Sequence, residues 1–246
     1  MSTIVFGGRA TTSLVIERYP ARPVPARRYT VEQIPGRSGD LLFDDGAYDN
    51  VEQVYEVYIR KGENAASFQK ACNEVAEMLL KPSGYQKLMD PFDPDVYRMA
   101  YFSGPTNIAN ILNQFGRAEL VFNCKPWRYL KSGDDLVVID IDGGTITNPT
   151  AFESEPLIRI TGTDGAPITI GIGNYTITIP ELVDGMIIDC ELMDCYKGTT
   201  NLNSLITLSP THKFPKLVPG ENNITVTGDQ QYGGYHVEIT PRWRTL

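Results

Sequence analysis

The stretch Ile168-Thr-Ile-Gly-Ile-Gly-Asn-Tyr-Thr-Ile-Thr-Ile179 alternates large apolar and small side chains on both sides of Gly173-Asn174. A period of two places every second side chain on one face of a strand, and a two-residue Gly-Asn link is a hairpin turn. The spacing predicts two antiparallel strands, with Ile168, Ile170 and Ile172 opposite Tyr175, Ile177 and Ile179. Six apolar side chains on one face need a second layer to cover them.

The same pattern continues outward from that hairpin. Residues 136–141, 157–161, 186–190, 224–227 and 237–240 are short runs rich in β-branched side chains, and Gly/Asn/Asp turns such as Gly143-Gly144 and Gly233-Gly234 separate them. Many short strands with frequent turns predict an antiparallel sandwich, a jelly roll or a related fold. Composition and periodicity change near Lys131-Ser-Gly-Asp-Asp, which divides the chain into residues 1–130 and 131–246.

The first half mixes signals. Ala65, Phe68, Cys72, Val75 and Leu79 recur at intervals of three and four, with Asn64 as a cap and Pro82-Ser83-Gly84 as a stop, so residues 64–80 are expected to form one amphipathic helix. Val51, Gln53, Val54, Tyr55, Val57 and Ile59 approximate a strand period. Residues 85–89 and 96–102 flank Asp90-Pro-Phe-Asp-Pro-Asp and read as a hairpin. A second hairpin is expected from residues 106–112 and 117–124 around Gln114-Phe-Gly. Residues 19–28 pack three prolines among arginines, the composition of an extended loop or arm.

At 246 residues, 41% of them apolar and 21% charged, the chain can bury a full core without disulfides or metals. Residues 1–130 hold 15 Lys/Arg and 15 Asp/Glu, whereas residues 131–246 hold 7 and 15, so the whole net charge of −8 lies in the second half. An acidic half repels phosphate backbones, which argues against a nucleic-acid reader and suggests a part in orienting the protein on its partners. No charged start followed by a long apolar run appears after Met1, and no apolar run reaches membrane-spanning length. The expectation is a soluble protein made in the cytosol. Cys72, Cys124, Cys190 and Cys195 form no CxxC pair and are expected to be free, mostly buried thiols.

Signals for chemistry are sparse. The two histidines, His212 and His236, stand outside any metal motif and beside no nucleophile. Asp44-Asp45, Asp93/Asp95, Asp134-Asp135 and Asp140/Asp142 could in principle serve a glycosidase, yet each abuts Gly or Pro as surface turns do. No Asp-x-Asp-x-Asp-Gly loop, GxGxxG or Walker loop occurs. Neither enzyme activity nor a cofactor or metal is expected.

One segment is more specific. Ile34-Pro-Gly-Arg-Ser-Gly-Asp-Leu-Leu-Phe-Asp-Asp-Gly-Ala-Tyr-Asp-Asn-Val51 begins with a double turn, Pro35-Gly36 and Ser38-Gly39, expected to hold Arg37 and Asp40 close together. It closely resembles the signature of the distal tail protein family of long-tailed, non-contractile phages, found also in prophages of Gram-positive bacteria. The resemblance extends through the helix, Gly84-Tyr-Gln-Lys-Leu, Asp93-Pro-Asp-Val-Tyr-Arg-Met-Ala-Tyr and Ala118-Glu-Leu-Val-Phe-Asn-Cys-Lys-Pro-Trp-Arg-Tyr. Phe122-x-Cys124-x-Pro126, leading into Asn148-Pro-Thr, resembles the family's crossing between domains.

The resemblance implies a mainly β protein: an N-terminal β-sandwich with one α-helix, and a C-terminal galectin-like antiparallel β-sandwich. It further implies a hexameric ring at the tail tip of a virion, assembled in the bacterial host cytoplasm and enclosing a channel for DNA. Its partners would be further copies of itself, the tail tube protein above, the tail-associated fibre or lysin protein below, and the tape-measure protein. No specific nucleic acid, membrane or cofactor is implied. Arg22, Arg27, Arg28, Arg37 and Asp40, on the arm and the double turn, are the candidate ring-interface residues. In an alternative reading the second half is a carbohydrate-binding module for host cell-wall sugar, contacting it through Tyr232, Tyr235 and Trp243.

Overall fold

The computed structural model describes residues 3–60, 65–105, 108, 111–112, 116–210, 212–228 and 235–246. Strands dominate, and the chain divides into two compact units, residues 1–128 with Leu246, and residues 129–245.

In the first unit a sheet runs in the order β2 (Arg9–Ala10), β1 (Val5–Phe6), β7 (Gln86–Met89), β8 (Val96–Gly104), β9 (Arg117–Leu130), β6 (Val51–Ile59), β3 (Leu14–Ile16). β6 alternates without a break, because Gln53 joins Val51, Tyr55, Val57 and Ile59 on the buried face and Val54 faces out. Helix α1 (Ala65–Leu80) packs Ala71, Cys72, Val75, Ala76, Met78 and Leu79 into the same core as Phe6, Leu120 and Phe122. Its expected cap, Asn64, lies outside the described residues. The 90–95 hairpin forms as expected, Leu88 pairing with Arg98 across β7 and β8. The strand expected over 106–112 does not: Ile108, Ile111 and Leu112 are helical. Ile108 and Leu112, four residues apart, are both fully buried, a spacing that one face of a helix and one face of a strand share.

Residues 19–26 have no regular structure, in keeping with their prolines, but the expected arm ends earlier than residue 28. Arg27 and Arg28 open a strand, β4 (Arg27–Glu32), which pairs with β5 (Leu41–Tyr48) in a separate two-stranded ribbon. Asp44-Asp45, expected in a turn, lies inside β5.

The second unit stacks two sheets. One has the order β10 (Val137–Ile139), β20 (His236–Thr240), β12 (Leu157–Thr161), β15 (Met186–Asp189), β16 (Asp194–Lys197), β17 (Thr200–Asn201). The other runs β11 (Gly144–Asn148), β19 (Gly220–Gly228), β13 (Ile168–Ile172), β14 (Tyr175–Ile179), β18 (Thr207–Ser209), and β21 (Arg244–Thr245) closes the unit's sequence. The hairpin takes the expected register, Ile168↔Ile179, Ile170↔Ile177 and Ile172↔Tyr175. Gly173 adopts φ 55°, the left-handed value required at the first position of a type II′ turn.

Isoleucines of β13 and β14 share one core with Ile158, Ile160, Ile188 and Ile239 of the opposite sheet. Each such side chain contributes about 1.5–3 kcal/mol relative to exposure. Asn148, buried where β11 ends, donates to the carbonyls of Phe152 and Leu217 and accepts from the Thr150 amide, so a polar side chain closes that corner without an unmet bond.

All four cysteines are buried and free. Among the described residues no helix is long and apolar enough to cross a membrane, and no cluster of His, Cys, Asp or Glu could hold a metal ion.

Candidate assembly surface

The residues that carry the sequence signature build one exposed device. Residues 34–40 form the tip between β4 and β5, with the Arg37 amide donating to the Ile34 carbonyl (3.1 Å). β5 supplies the signature's second part, and residues 49–50 lead into β6. All six residues of β4 are exposed. So are the large apolar side chains Tyr29 (46%), Val31 (52%), Leu42 (58%) and Phe43 (49%). Val31 stands directly opposite Leu42, whereas Phe43 opposes Thr30 and so points to the other face. A two-stranded ribbon is marginal alone, and this one leaves apolar groups on both faces in water.

Its base is fixed. The Tyr48 ring meets Trp127 edge to face at 5.4 Å, and the Asp49 amide donates to Ala26 O (2.9 Å). Asn50 Nδ2 donates to Tyr85 Oη and Asn123 Oδ1, each at 2.7 Å. Charges run along the ribbon: Arg27 pairs with Asp44, Arg28 with Asp49 (3.0 Å), and Thr30 Oγ1 donates to Asp45. The Arg27 hydrogen bond holds the Asp44 carboxyl below the usual carboxylate range, helped by the Gly46 amide, and raises Arg27 in return. Both side chains are exposed to water, so the pair sets geometry more than stability.

The Pro/Arg arm is strapped down by buried polar side chains of the sheet. Gln53 Nε2 donates to Ala21 O (2.8 Å), and Arg98 Nη2 to Pro23 O (3.2 Å). Arg22 donates to Phe92 O (3.2 Å), pairs with Asp93 at 3.6 Å, and covers the Tyr19 ring, which itself meets Phe92.

Of the candidate interface residues, Arg27 and Arg28 thus lie in β4 and Arg22 on the strapped arm. Arg37 and Asp40 stand exposed at the tip, and no ion pair joins them. Tyr235 (8% exposed) and Trp243 (6%) are buried in the second unit's core, Tyr235 Oη donating to Pro167 O at 2.8 Å, while Tyr232 lies outside the described residues. The strand β4 and the strap residues Gln53 and Arg98 were missed by sequence reasoning. Tyr29 and Val31 at alternate positions were the available signal for β4; nothing local marks the strap.

No protein-family model and no curated protein matches the chain. Among solved structures, the fold of this chain is that of phage hub and baseplate proteins. The SPP1 Dit (gp 19.1) protein, described as a paradigm of the hub adsorption apparatus in Gram-positive infecting phages, matches with a TM-score of 0.69 and 12% identity over 100% of both chains. Chains of the phage P2 baseplate in its activated conformation match at 0.50 with Ca and 0.51 with Sr, each 10% identical over 97% of both chains. At such identities the likeness is one of fold.

Proposed function

We propose that the chain is a distal tail protein: a structural, non-enzymatic hub that closes into a hexameric ring at a phage tail tip. The ring joins the tail tube to the fibre or lysin complex around a channel for DNA, and the second unit is its galectin-like sandwich, with domains at 1–130 and 131–246. The observation that carries this reading is the signature ribbon. Residues 34–51, which resemble the distal tail family in sequence, supply the tip and strand β5 of an exposed ribbon with apolar side chains on both faces, in a chain with the fold of phage hub proteins.

A ring needs two different surfaces on each copy, meeting head to tail. The ribbon suits one of them, because its ladder edges and apolar faces gain partners only from another chain. Arg22, Arg27 and Arg28 shape its approach, and Arg37 and Asp40 at the tip are free to pair across the contact. Burial of Tyr235 and Trp243 leaves their rings without the open face that sugar stacking needs, which favours a scaffold over a carbohydrate-binding module. Electron microscopy of the purified chain tests the proposal: class averages of a six-fold ring with a central opening are expected, and a monodisperse monomer at high concentration would overturn it.

A further inference from the structure

Strand β2 ends the main sheet of the first unit: it pairs with β1 alone, so its outer edge has no ladder partner among the described residues. Between β2 and α1 lies an open depression of about 290 Å³, lined by Arg9, Ala10 and Thr11 on one side and Glu74, Glu77 and Met78 on the other. Met78 and Ala10 give it an apolar lining, and Arg9, Glu74 and Glu77 are exposed around it. Glu74 and Glu77, three residues apart on α1, share one helical face. Among the described residues Arg9 and Glu77 form no ion pair, and Glu74 meets only Lys70, at 4.0 Å with both side chains at least half exposed. Two carboxylates and one guanidinium therefore stand around an apolar patch with no strong partner of their own.

The ribbon carries the complementary set. Arg37 and Asp40 are exposed at its tip, and Leu42 and Val31 face each other just behind them. No ion pair joins the two sets within the chain. Arg37 matches Glu74 and Glu77, Asp40 matches Arg9, and Leu42 with Val31 match Ala10 and Met78. The ribbon's strands pair only with each other, so each keeps an outer edge, as β2 does. At two residues, β2 is too short to hold an added strand by ladder bonds alone, so the side chains must select and register what lies beside it.

We infer that the depression between β2 and α1 receives the ribbon tip of a second copy of this chain, with Arg37 against Glu74 and Glu77 and Asp40 against Arg9. The inference rests on the ring reading above and supplies the second of the two surfaces that a head-to-tail contact requires. A small ligand is a poorer occupant, because the charged groups of the depression are all exposed and none is buried to hold one. Each exposed pair is weak alone, but the set repeats at every boundary between copies, and a reversed charge there repels at all of them.

Charge exchange in the full chain tests the inference, with ring mass read by light scattering at a concentration where the wild type is half assembled. Arg37→Glu should lower the ring fraction at least about tenfold, and so should Glu74→Arg with Glu77→Arg. The three substitutions in one chain should restore the ring, since the pairs re-form with their signs exchanged. All three sites are exposed, so the melting temperature of the monomer should stay unchanged. A second measurement uses Arg9→Cys with Asp40→Cys and a short bis-maleimide. The four native thiols are buried, and a ladder of covalently joined chains is expected on a denaturing gel. A ring that ignores the reversals, or a triple variant that stays dispersed, or a single uncross-linked band would overturn the inference and leave the ring reading standing. A wild type that forms no ring would overturn both.

Discussion

Gln53 Nε2 donates a 2.8 Å hydrogen bond to the main-chain oxygen of Ala21, linking the buried face of β6 to an arm 32 residues earlier in the chain. Gln53 is only 4% exposed, so its amide is either paired there or costly. Gln53→Leu removes the donor, leaves the Ala21 carbonyl short of a partner, and should cost about 1–3 kcal/mol in denaturant unfolding. The arm should also become more open to proteolysis between residues 19 and 26. Unchanged stability and unchanged cleavage would show that the strap is not held by this bond.

The ribbon separates folding from assembly. Val31 and Leu42 face each other across β4 and β5, both more than half exposed, so Val31→Lys with Leu42→Asp removes no buried contact within the chain and sets opposite charges across the ribbon. Monomer stability should shift by no more than about 0.5 kcal/mol per site. Ring mass in light scattering should collapse, because a charge at each position would be desolvated in any contact between copies. Arg37→Ala with Asp40→Ala should weaken the ring more mildly, and a ring of unchanged mass in both variants would exclude this ribbon from the interface.

Asp189, buried at the end of β15, accepts from Arg242 Nη1 (2.7 Å) and Nη2 (3.0 Å). Burial alone would raise its carboxyl, but the Arg242 hydrogen bonds and charge, with the Leu192 and Glu191 amides, hold it below the ordinary value. A carboxyl lowered by folding contributes stability that is fully present above its unfolded value of about 4 and is lost as pH falls through its folded value. Asp189→Asn removes the carboxylate that holds Arg242 closely, leaving it only the looser pair with Glu191 (3.7 Å), and should cost about 1–3 kcal/mol at pH 7. The gap between wild type and variant should narrow in melts below about pH 4. A gap independent of pH would show that the carboxylate charge is not what matters.

Gly228 has no room for a methyl group: a Cβ there would lie 2.1 Å from the Tyr235 ring. The ring cannot swing away without losing its bond to Pro167 O. Gly228→Ala should therefore destabilise by about 1–3 kcal/mol through overpacking. Adding Tyr235→Leu should recover part of that loss in a double-mutant cycle, whereas strict additivity would contradict the contact.

The thiols report on both cores at once. Burial raises all four, Cys124 to about 11 and Cys195 to about 12, so thiolate is scarce at pH 8. A thiol reagent at that pH should label none of the four within minutes in buffer and all of them in denaturant. Rapid labelling of the native chain would contradict the burial of these thiols in the two cores.

Local period was enough to define the second unit's central hairpin. Ile168, Ile170 and Ile172 can share a face only as a strand, and the two-residue Gly173-Asn174 turn leaves a single register. The same logic held for β6 and α1, and it failed over 106–112, where Ile108 and Leu112 suit either period when read in a short run. Short polar strands such as β11, which ends in the buried Asn148, and β16 to β18 gave no such signal, because their partners rather than their own side chains make them strands.

Sequence by itself determined the β class, the long helix, the hairpin register and, through residues 34–51, the resemblance to phage distal tail proteins. Each rests on neighbours in the chain, where side-chain period and turn chemistry act directly. Tertiary structure alone decided that β4 and β5 leave the main sheet as an exposed ribbon. It alone turned Gln53 and Arg98 inward to hold the arm, buried Tyr235 and Trp243, and gathered Arg22, Arg98 and Arg128 around one cavity. Those groups are tens of residues apart, and what brings them together is the burial of the sheet between them, a long-range cost and gain that no local pattern records.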